Sequence, residues 1–229
     1  MFDKDMPVIS IPGFSDPMSA LTHLLGAAVF SVMGFWLVRK GRRTDDPGWN
    51  WRMTALAVFV FAAVAQLGIS GAYHILQPKL APRLVLQRID HSALFFLIAA
   101  TFVPVHAILF NGWRRWLILL ILFSLATIGT TLKFFYFNEL PEIFGLTFYI
   151  AMGWVGAYSG YELYRRYGWN FIRPLVWGGV AYTFGAVTEF LRQPVLLDGV
   201  VGPHELFHLA VLAGLGFHFR FTFSFAGEK

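Results

Sequence analysis

Residues 91–113 read HSALFFLIAATFVPVHAILFNGW, a run of 23 residues without Asp, Glu, Lys or Arg. An α-helix rises about 1.5 Å per residue, so about 20 mainly apolar residues cross the hydrocarbon core of a bilayer. The run is long enough for that crossing and therefore predicts a membrane-spanning helix.

Six further runs without charged residues surround it. Two of them are short, with 15 and 14 residues, but the first ends before Glu189 and the second begins after Glu205, and both carboxylates could lie inside longer helices. Seven runs predict an all-α membrane protein, a seven-transmembrane-helix bundle. The runs are Pro17–Val38, Met53–Pro78, His91–Trp113, Trp116–Leu132, Ile143–Tyr161, Pro174–Thr188 and Leu206–Phe219.

The chain before the first run is short and contains acidic residues. It has neither a basic region nor a cleavage site of small residues, so we do not expect a signal peptide. Ser15 and Asp16 precede Pro17 and are predicted to cap the first helix. The predicted organisation is a short N-terminal segment (1–15), the seven-helix transmembrane domain (16–225) and a C-terminal tail (226–229).

The composition excludes most soluble classes of protein. Of the 229 residues, 57% are hydrophobic and only 14% are charged, which is more apolar surface than one globule of this size can bury. Cysteine is absent, so disulfides, thiolate metal ligands and cysteine nucleophiles are excluded. The net charge of +5 does not indicate nucleic-acid binding, because the cations are spread through connecting segments rather than along one stripe.

Lysine and arginine are distributed unevenly between the two sides that seven crossings define. Six lie on the side of the N-terminus and twelve on the other side. By the positive-inside rule the richer side is cytoplasmic, so we predict a plasma-membrane protein with an extracytoplasmic N-terminus and a cytoplasmic C-terminus. The six are Lys4, Lys79, Arg83, Arg88, Lys133 and Arg192.

Ionisable groups inside membrane helices are expensive and mark functional sites. Ser70 and His74 are four residues apart near the end of the second helix, and His204 and His208 are four apart at the start of the seventh. Each pair shares one helix face. Asp90 opens the third helix. Because alternate crossings bring these helix ends to the same side, the sequence predicts one polar site.

Three imidazoles with a carboxylate and a hydroxyl form a suitable zinc site. Zinc is commonly held by three protein ligands with a fourth position for water, and imidazole is preferred where thiolate is missing. We therefore expect His74, His204 and His208 to bind Zn²⁺. Asp90 would act as general base, and Ser70 would position the water or stabilise an oxyanion. Residues 204–208 also match H-E-x-x-H, with Glu205 as a possible proton-transfer group.

With these motifs the chain resembles the hemolysin III group of the progestin and adiponectin receptor family, from about residue 19 to residue 223. The resemblance implies a seven-helix bundle around a zinc ion, related to alkaline ceramidases, whose suggested substrates are lipid amides. It implies the same five site residues. Family receptors place the N-terminus in the cytoplasm, opposite to the charge distribution. The motifs are Ser70-x-x-x-His74, Arg88-Ile-Asp90-His91-Ser92, Ala99-Ala100-Thr101-Phe102-Val103-Pro104, Gly153-Trp154, Gly178-Gly179-x-x-Tyr182-x-x-Gly185 and His204-Glu-Leu-Phe-His208.

Together these features predict a zinc-dependent intramembrane hydrolase that acts on a lipid amide or ester, with a membrane lipid or fatty-acyl substrate. Two alternatives remain open: a lipid-sensing or homeostatic protein with structural zinc, and a membrane-perturbing hemolysin.

Several polar residues also have structural interpretations. Asp90 could pair with Arg88 or Lys79, and Ser70 could bond to its own helix. Glu205 is expected to act at a helix N-terminus, and Glu189 could pair with Arg192. The remaining histidines are expected to hydrogen-bond between helices. They are His23, His91, His106 and His218.

Overall fold

The computed structural model describes residues 8–42 and 50–227, and within these ranges the chain forms eight helices and no β-strand. The all-α class is therefore confirmed. Residues 1–7 and 228–229 of the predicted terminal segments lie outside the described residues. The helices are α1 (Pro17–Lys40), α2 (Trp51–Ile75), α3 (Ala81–Leu109), α4 (Trp113–Phe135), α5 (Glu142–Trp154), α6 (Gly156–Tyr167), α7 (Trp169–Leu191) and α8 (Pro203–Phe225).

Five helices of the described chain are long and apolar enough to cross a membrane, namely α1, α2, α3, α4 and α8. The predicted fifth helix is divided, because α5 and α6 have 13 and 12 residues and are separated by Val155. Helix α7 has 23 residues but is not among the five. The structure thus describes a multi-pass membrane protein, as the composition predicted.

Helix α3 begins at Ala81, ten residues before the uncharged run that predicted it. The run was defined by the absence of charged residues, so it could not include Arg88 and Asp90, which were expected at the start of the helix. In the structure both lie inside the helix, since their polar groups have partners within the protein. Glu189 and Glu205 also have polar partners within the protein, and they lie inside α7 and α8 respectively.

Close packing of α1, α2 and α8 forms the main core. Its largest buried side chains include Phe59, Leu67, Leu215 and Phe219. Helices α1 and α2 approach closely because Gly34 has no side chain, and a Cβ there would lie 2.2 Å from Val60 Cγ1. This packing brings the starts of α1 and α8 beside the end of α2.

Candidate metal centre

Three histidines from two helices converge at one end of the bundle. The Nε2 atom of His204 lies 3.3 Å from that of His74 and 3.2 Å from that of His208. One ring nitrogen from each of the three lies within 4.8 Å of the others, close enough to bind a single metal ion. His74 and His208 are buried and His204 is half-buried. The two histidines of α8 meet because a spacing of four places them on one helix face.

Carboxylates behind two of these rings determine which nitrogen faces the centre. Asp16 Oδ2 lies 2.7 Å from His74 Nδ1, and Glu189 Oε1 lies 3.4 Å from His204 Nδ1. A carboxylate at Nδ1 favours the tautomer with hydrogen on that nitrogen, as in many carboxylate–histidine–zinc arrangements. The Nε2 lone pairs of His74 and His204 then point at one another.

The donor set fits a metal ion. Two lone pairs at 3.3 Å repel each other, and a cation between them removes the repulsion. Zn–N bonds of about 2.0–2.1 Å in tetrahedral geometry separate the nitrogens by roughly 3.3 Å, which matches the distances from His204 Nε2 to His74 Nε2 and His208 Nε2. Neutral imidazoles whose other ring nitrogen is bonded to a carboxylate are typical ligands of zinc. Imidazole also suits copper, iron and nickel, so the donor set defines a site for a metal of this group.

Asp16 is the N-cap residue of α1, but its side chain makes no capping hydrogen bond. Instead it accepts from Arg83 Nη2 at 2.8 Å and contacts His74. Burial raises the pKa of Asp16, but hydrogen bonds and charges from His74 and Arg83 outweigh it, so the pKa lies below its ordinary value. Asp16 is therefore an anion that orients His74, and the predicted side-chain cap is wrong.

Asp90 lies on α3, facing α2. Its Oδ1 accepts a hydrogen bond of 2.7 Å from Gln66 Nε2, and the Ser70 side chain also hydrogen-bonds to the carboxylate. Arg88 does not pair with Asp90, because its Nη1 donates to the backbone oxygen of Phe134. The amide and the hydroxyl thus hold the Asp90 carboxylate in one orientation.

A polar cavity of about 40 Å³ lies between these groups, with room for a few water molecules. Its wall brings together four of the five predicted site residues, Ser70, Asp90, His204 and His208, while His74 is not part of the wall and contacts His204. The site that the sequence predicted from three separate helices is thus brought together in space.

A second, mainly apolar cavity of about 840 Å³ adjoins the first. Leu146, Tyr149 and Phe207 belong to the walls of both. Trp154 and Phe184 line the large cavity and are also exposed on the outside of the helices, so the cavity reaches the outer surface. A hydrocarbon chain can therefore lie in the large cavity with its polar end at the histidines.

Other polar residues have structural roles. Glu205 accepts from the backbone nitrogen of Gly202 at 2.9 Å and from Ser19 Oγ at 3.1 Å, so it caps α8 and joins it to α1, as the structural interpretation predicted. His106 bonds to Ser159 between helices at 2.9 Å. His23 instead stacks on His208, with ring centroids 3.8 Å apart.

Sequence reasoning did not identify Asp16, Gln66 and Arg83 as parts of the site. Gln66 gave a signal, because it interrupts the apolar stretch AAVAQLG at residues 62–68. Asp16 gave none, since its role depends on a partner 58 residues away.

The fold and site define a class: helical membrane proteins with a histidine cluster near one end of the bundle. A sequence model described as "Haemolysin-III related" matches residues 14–219, nearly the whole chain. The chain therefore belongs to the haemolysin-III-related family, and the resemblance to the hemolysin III group is confirmed.

Two relatives agree with this assignment. The chain is 32% identical to Hemolysin-3 of Bacillus cereus over 126 residues, 55% of this chain and 54% of that protein. It is 30% identical to a Hemolysin-3 homolog of Bacillus subtilis (strain 168) over 131 residues, 57% of this chain and 58% of that protein. The matched segments thus cover little more than half of each relative.

Proposed function

We propose that this protein is a zinc-dependent intramembrane hydrolase of lipid amides, with lipid esters as the next choice. The observation that supports this most directly is the junction of two cavities. Asp90, His204 and His208 line the small cavity, and the adjoining apolar cavity of about 840 Å³ lies within the usual volume range of ligand pockets.

His74, His204 and His208 would hold the ion. When bound there, zinc acts as a Lewis acid and lowers the pKa of water to about 7. Asp90 can accept a proton from a water molecule in the cavity, because a carboxylate has about four acceptor positions and the hydrogen bond from Gln66 uses one of those on Oδ1. The same carboxyl group can then donate that proton to the departing amine.

Ser70 lies beside Asp90 and lines the same cavity. While it donates to Asp90, its oxygen can accept from a water molecule and orient that water. Donation to the substrate carbonyl oxygen would require the hydroxyl to turn away from Asp90. Phe207 and Leu146 form apolar walls around the reacting end of the substrate and limit access by bulk water. An acyl chain would enter between helices from the lipid, near Phe184.

We also propose seven crossings, with α5 and α6 together forming the fifth and α7 the sixth. The start of α5 lies near the end of α4, since a Cβ on Gly145 would be 3.7 Å from Lys133 Nζ. The end of α6 packs with the start of α7 at the opposite end of the bundle, where Leu163 and Ile172 share one apolar cluster. These contacts are explained if α5 and α6 together cross from one end of the bundle to the other and α7 crosses back.

The experiment uses purified protein reconstituted in lipid vesicles. It measures release of fatty acid, by mass spectrometry, from N-acyl sphingosine, an N-acyl ethanolamine and an ester of the same chain length. We expect release from an amide by wild type, and a loss of about 10²-fold or more in Asp90→Asn with zinc content unchanged. Glu162→Gln removes a carboxylate from a partly exposed ion pair with Arg114 and is the matched control.

Two outcomes contradict the proposal. Unchanged release by Asp90→Asn would remove Asp90 as the general base. One zinc per wild-type chain without release from any amide or ester would favour the alternative in which zinc joins α2 to α8 structurally.

A further inference from the structure

One face of helix α7 forms a continuous part of the wall of the large apolar cavity. The residues three, four and seven positions to either side of Gly179, from Ile172 to Ala186, all line the cavity. Because this spacing keeps residues on one face of an α-helix, Gly179 lies at the centre of the face that α7 presents to the cavity.

Gly153, near the end of α5, has the same position on another wall. The residues three, four and seven positions to either side of it, from Leu146 to Gly160, also line the cavity. Two of the helices that enclose the cavity therefore have a glycine at the centre of their inner face.

These two glycines differ from those that allow helices to pack closely. Apart from neighbouring backbone of its own helix, no heavy atom of the described ranges lies within 4 Å of a Cβ built on Gly153 or on Gly179. A Cβ on Gly178, in contrast, would lie 2.4 Å from His218 Cδ2. Neither Gly153 nor Gly179 has a positive φ, so the backbone does not require glycine there. What glycine provides at these positions is free space in the cavity.

Gly179 lies well along the cavity from the metal centre. Glu189 Oε1 lies 3.4 Å from His204 Nδ1, and Gly179 is ten residues before Glu189 on α7. At about 1.5 Å per residue, the distance along the helix is roughly 15 Å. An extended alkyl chain advances about 1.25 Å per carbon, given C–C bonds of about 1.5 Å, so a chain with its polar end at the centre reaches Gly179 at about carbon 12.

The cavity continues past Gly179. Its wall extends along α7 to Trp169, ten residues farther from the metal centre, which adds roughly 15 Å. A chain of about 16–18 carbons therefore fits along the cavity and extends past the glycine.

We propose that Gly179, with Gly153 on the other wall, determines the length of the acyl chain and makes the cavity suited to long chains of about 16–18 carbons. Carbons of a long chain lie against the bare backbone at Gly179, where a larger side chain would occupy their space. The inference deepens the proposed function, on which it rests for placing the polar end of the chain at the metal centre.

The test is binding, which requires no turnover. The sequence contains no cysteine, so Gly179→Cys introduces a single thiol at this position. The full chain with its metal, in detergent, is treated with N-ethylmaleimide in the presence of hexadecanoic or octanoic acid, and mass spectrometry of the intact protein follows alkylation.

The two acids should have different effects. Hexadecanoic acid at about ten times its Kd should slow alkylation about tenfold, because the bound chain covers the thiol. Octanoic acid ends before Gly179 and should not slow alkylation. In excess it should restore the rate that hexadecanoic acid reduced, because both acids occupy the same end of the cavity.

Gly216→Cys is the matched control. Gly216 has equally open surroundings within the described chain, but it lines neither of the two cavities. Neither acid should change the alkylation rate of this variant. Equal protection of Gly179→Cys by the two acids, or protection by neither, would overturn the inference.

A larger side chain at the same position gives a second test. The ring of Gly179→Phe occupies the path of the chain, so hexadecanoic acid should bind about tenfold or more weakly than to wild type. Octanoic acid should bind as it does to wild type, and Gly216→Phe should bind both acids normally. Isothermal titration calorimetry measures all four affinities. Unchanged binding of hexadecanoic acid by folded Gly179→Phe contradicts the inference, and the thiol experiment decides if this variant does not fold.

Failure of this inference and failure of the proposed function give different results. Hydrolysis of octanoyl and hexadecanoyl amides in the same ratio by wild type and Gly179→Phe contradicts only the inference. Protection that depends on chain length, in a protein that hydrolyses nothing, supports selective binding of long acyl chains and contradicts only the hydrolase.

Discussion

Asp16 and His74 lie 58 residues apart in the chain and are joined by a contact of 2.7 Å between Oδ2 and Nδ1. Their backbones are joined as well, since the nitrogen of Asp16 donates to the oxygen of His74 at 3.0 Å. The start of α1 is thereby attached to the end of α2 at the metal centre. Arg83 completes the unit by donating to Asp16 and to the backbone oxygen of Leu76.

This unit predicts the effect of Asp16→Asn. The amide oxygen can still accept from His74 Nδ1, but the negative charge that strengthens His74 as a ligand is lost. We expect zinc affinity to fall about 10–100-fold, the usual effect of losing a carboxylate that is hydrogen-bonded to a metal ligand. A competition titration of purified protein with a chelator measures the change.

The same substitution removes the Asp16 carboxylate from its contact with the buried Arg83. Removing one partner of a buried ion pair costs about 3–5 kcal/mol, so the zinc-free variant should also unfold at a lower temperature. Glu162→Gln, in a partly exposed pair, should change neither property. Wild-type zinc affinity in Asp16→Asn would show that Asp16 does not support the ligand.

The histidine cluster itself predicts a change in metal content. The His204→Ala, His208→Ala double variant retains only one of the three ligands, so it should bind little zinc, whereas wild type should hold about one ion per chain. Elemental mass spectrometry of protein purified without chelators measures both. His106→Ala is the control, because His106 bonds to Ser159 rather than to the cluster. Full zinc occupancy in the double variant would exclude these ligands.

Much of this site follows from local sequence pattern. Two histidines four residues apart share a helix face in any α-helix, and alternate crossings bring the end of α2 to the start of α8. These facts place His74 near His204 without knowledge of tertiary packing. The cluster itself was therefore predictable.

Other features depend on tertiary contacts and were not predictable from local pattern. Asp16 resembled an ordinary cap because its partners are distant in sequence. The uncharged run that predicted α3 begins ten residues after the helix does, because Arg88 and Asp90 carry charges, although both have partners inside the bundle. The break at Val155 has no proline or charge to mark it.

Packing of α1 against α2 predicts unequal effects of two glycine substitutions. A methyl group at Gly34 would meet Val60, whose β-branched side chain has little rotamer freedom, so Gly34→Ala should destabilise by about 1–3 kcal/mol. Gly68 has nothing within 4 Å of the corresponding position, and Gly68→Ala should be neutral or slightly stabilising. Thermal unfolding in one detergent compares them, and equal melting temperatures would contradict the close contact.

The distribution of cations predicts the orientation of the protein. Of the six lysines and arginines assigned to the N-terminal side, Arg83 and Lys133 are buried and so do not act as free loop charges. Arg52 on the opposite side is also buried, and eleven other lysines and arginines remain on that side. The excess of cations on the opposite side over the N-terminal side is therefore larger than the sequence count alone indicated. Because orientation follows loop cations, we expect the C-terminus in the cytoplasm and the metal centre near the outer face.

A reporter fused after Lys229 that is active only in the cytoplasm measures this orientation. Substituting Arg165 and Arg166 by Glu, at the end of α6, should weaken the preference, while the same substitution at the buried Arg83 should not change it. A reporter active only outside the cytoplasm would instead agree with the topology of the family's receptors. In that case the metal centre faces the cytoplasm, and substrates would enter from the inner leaflet.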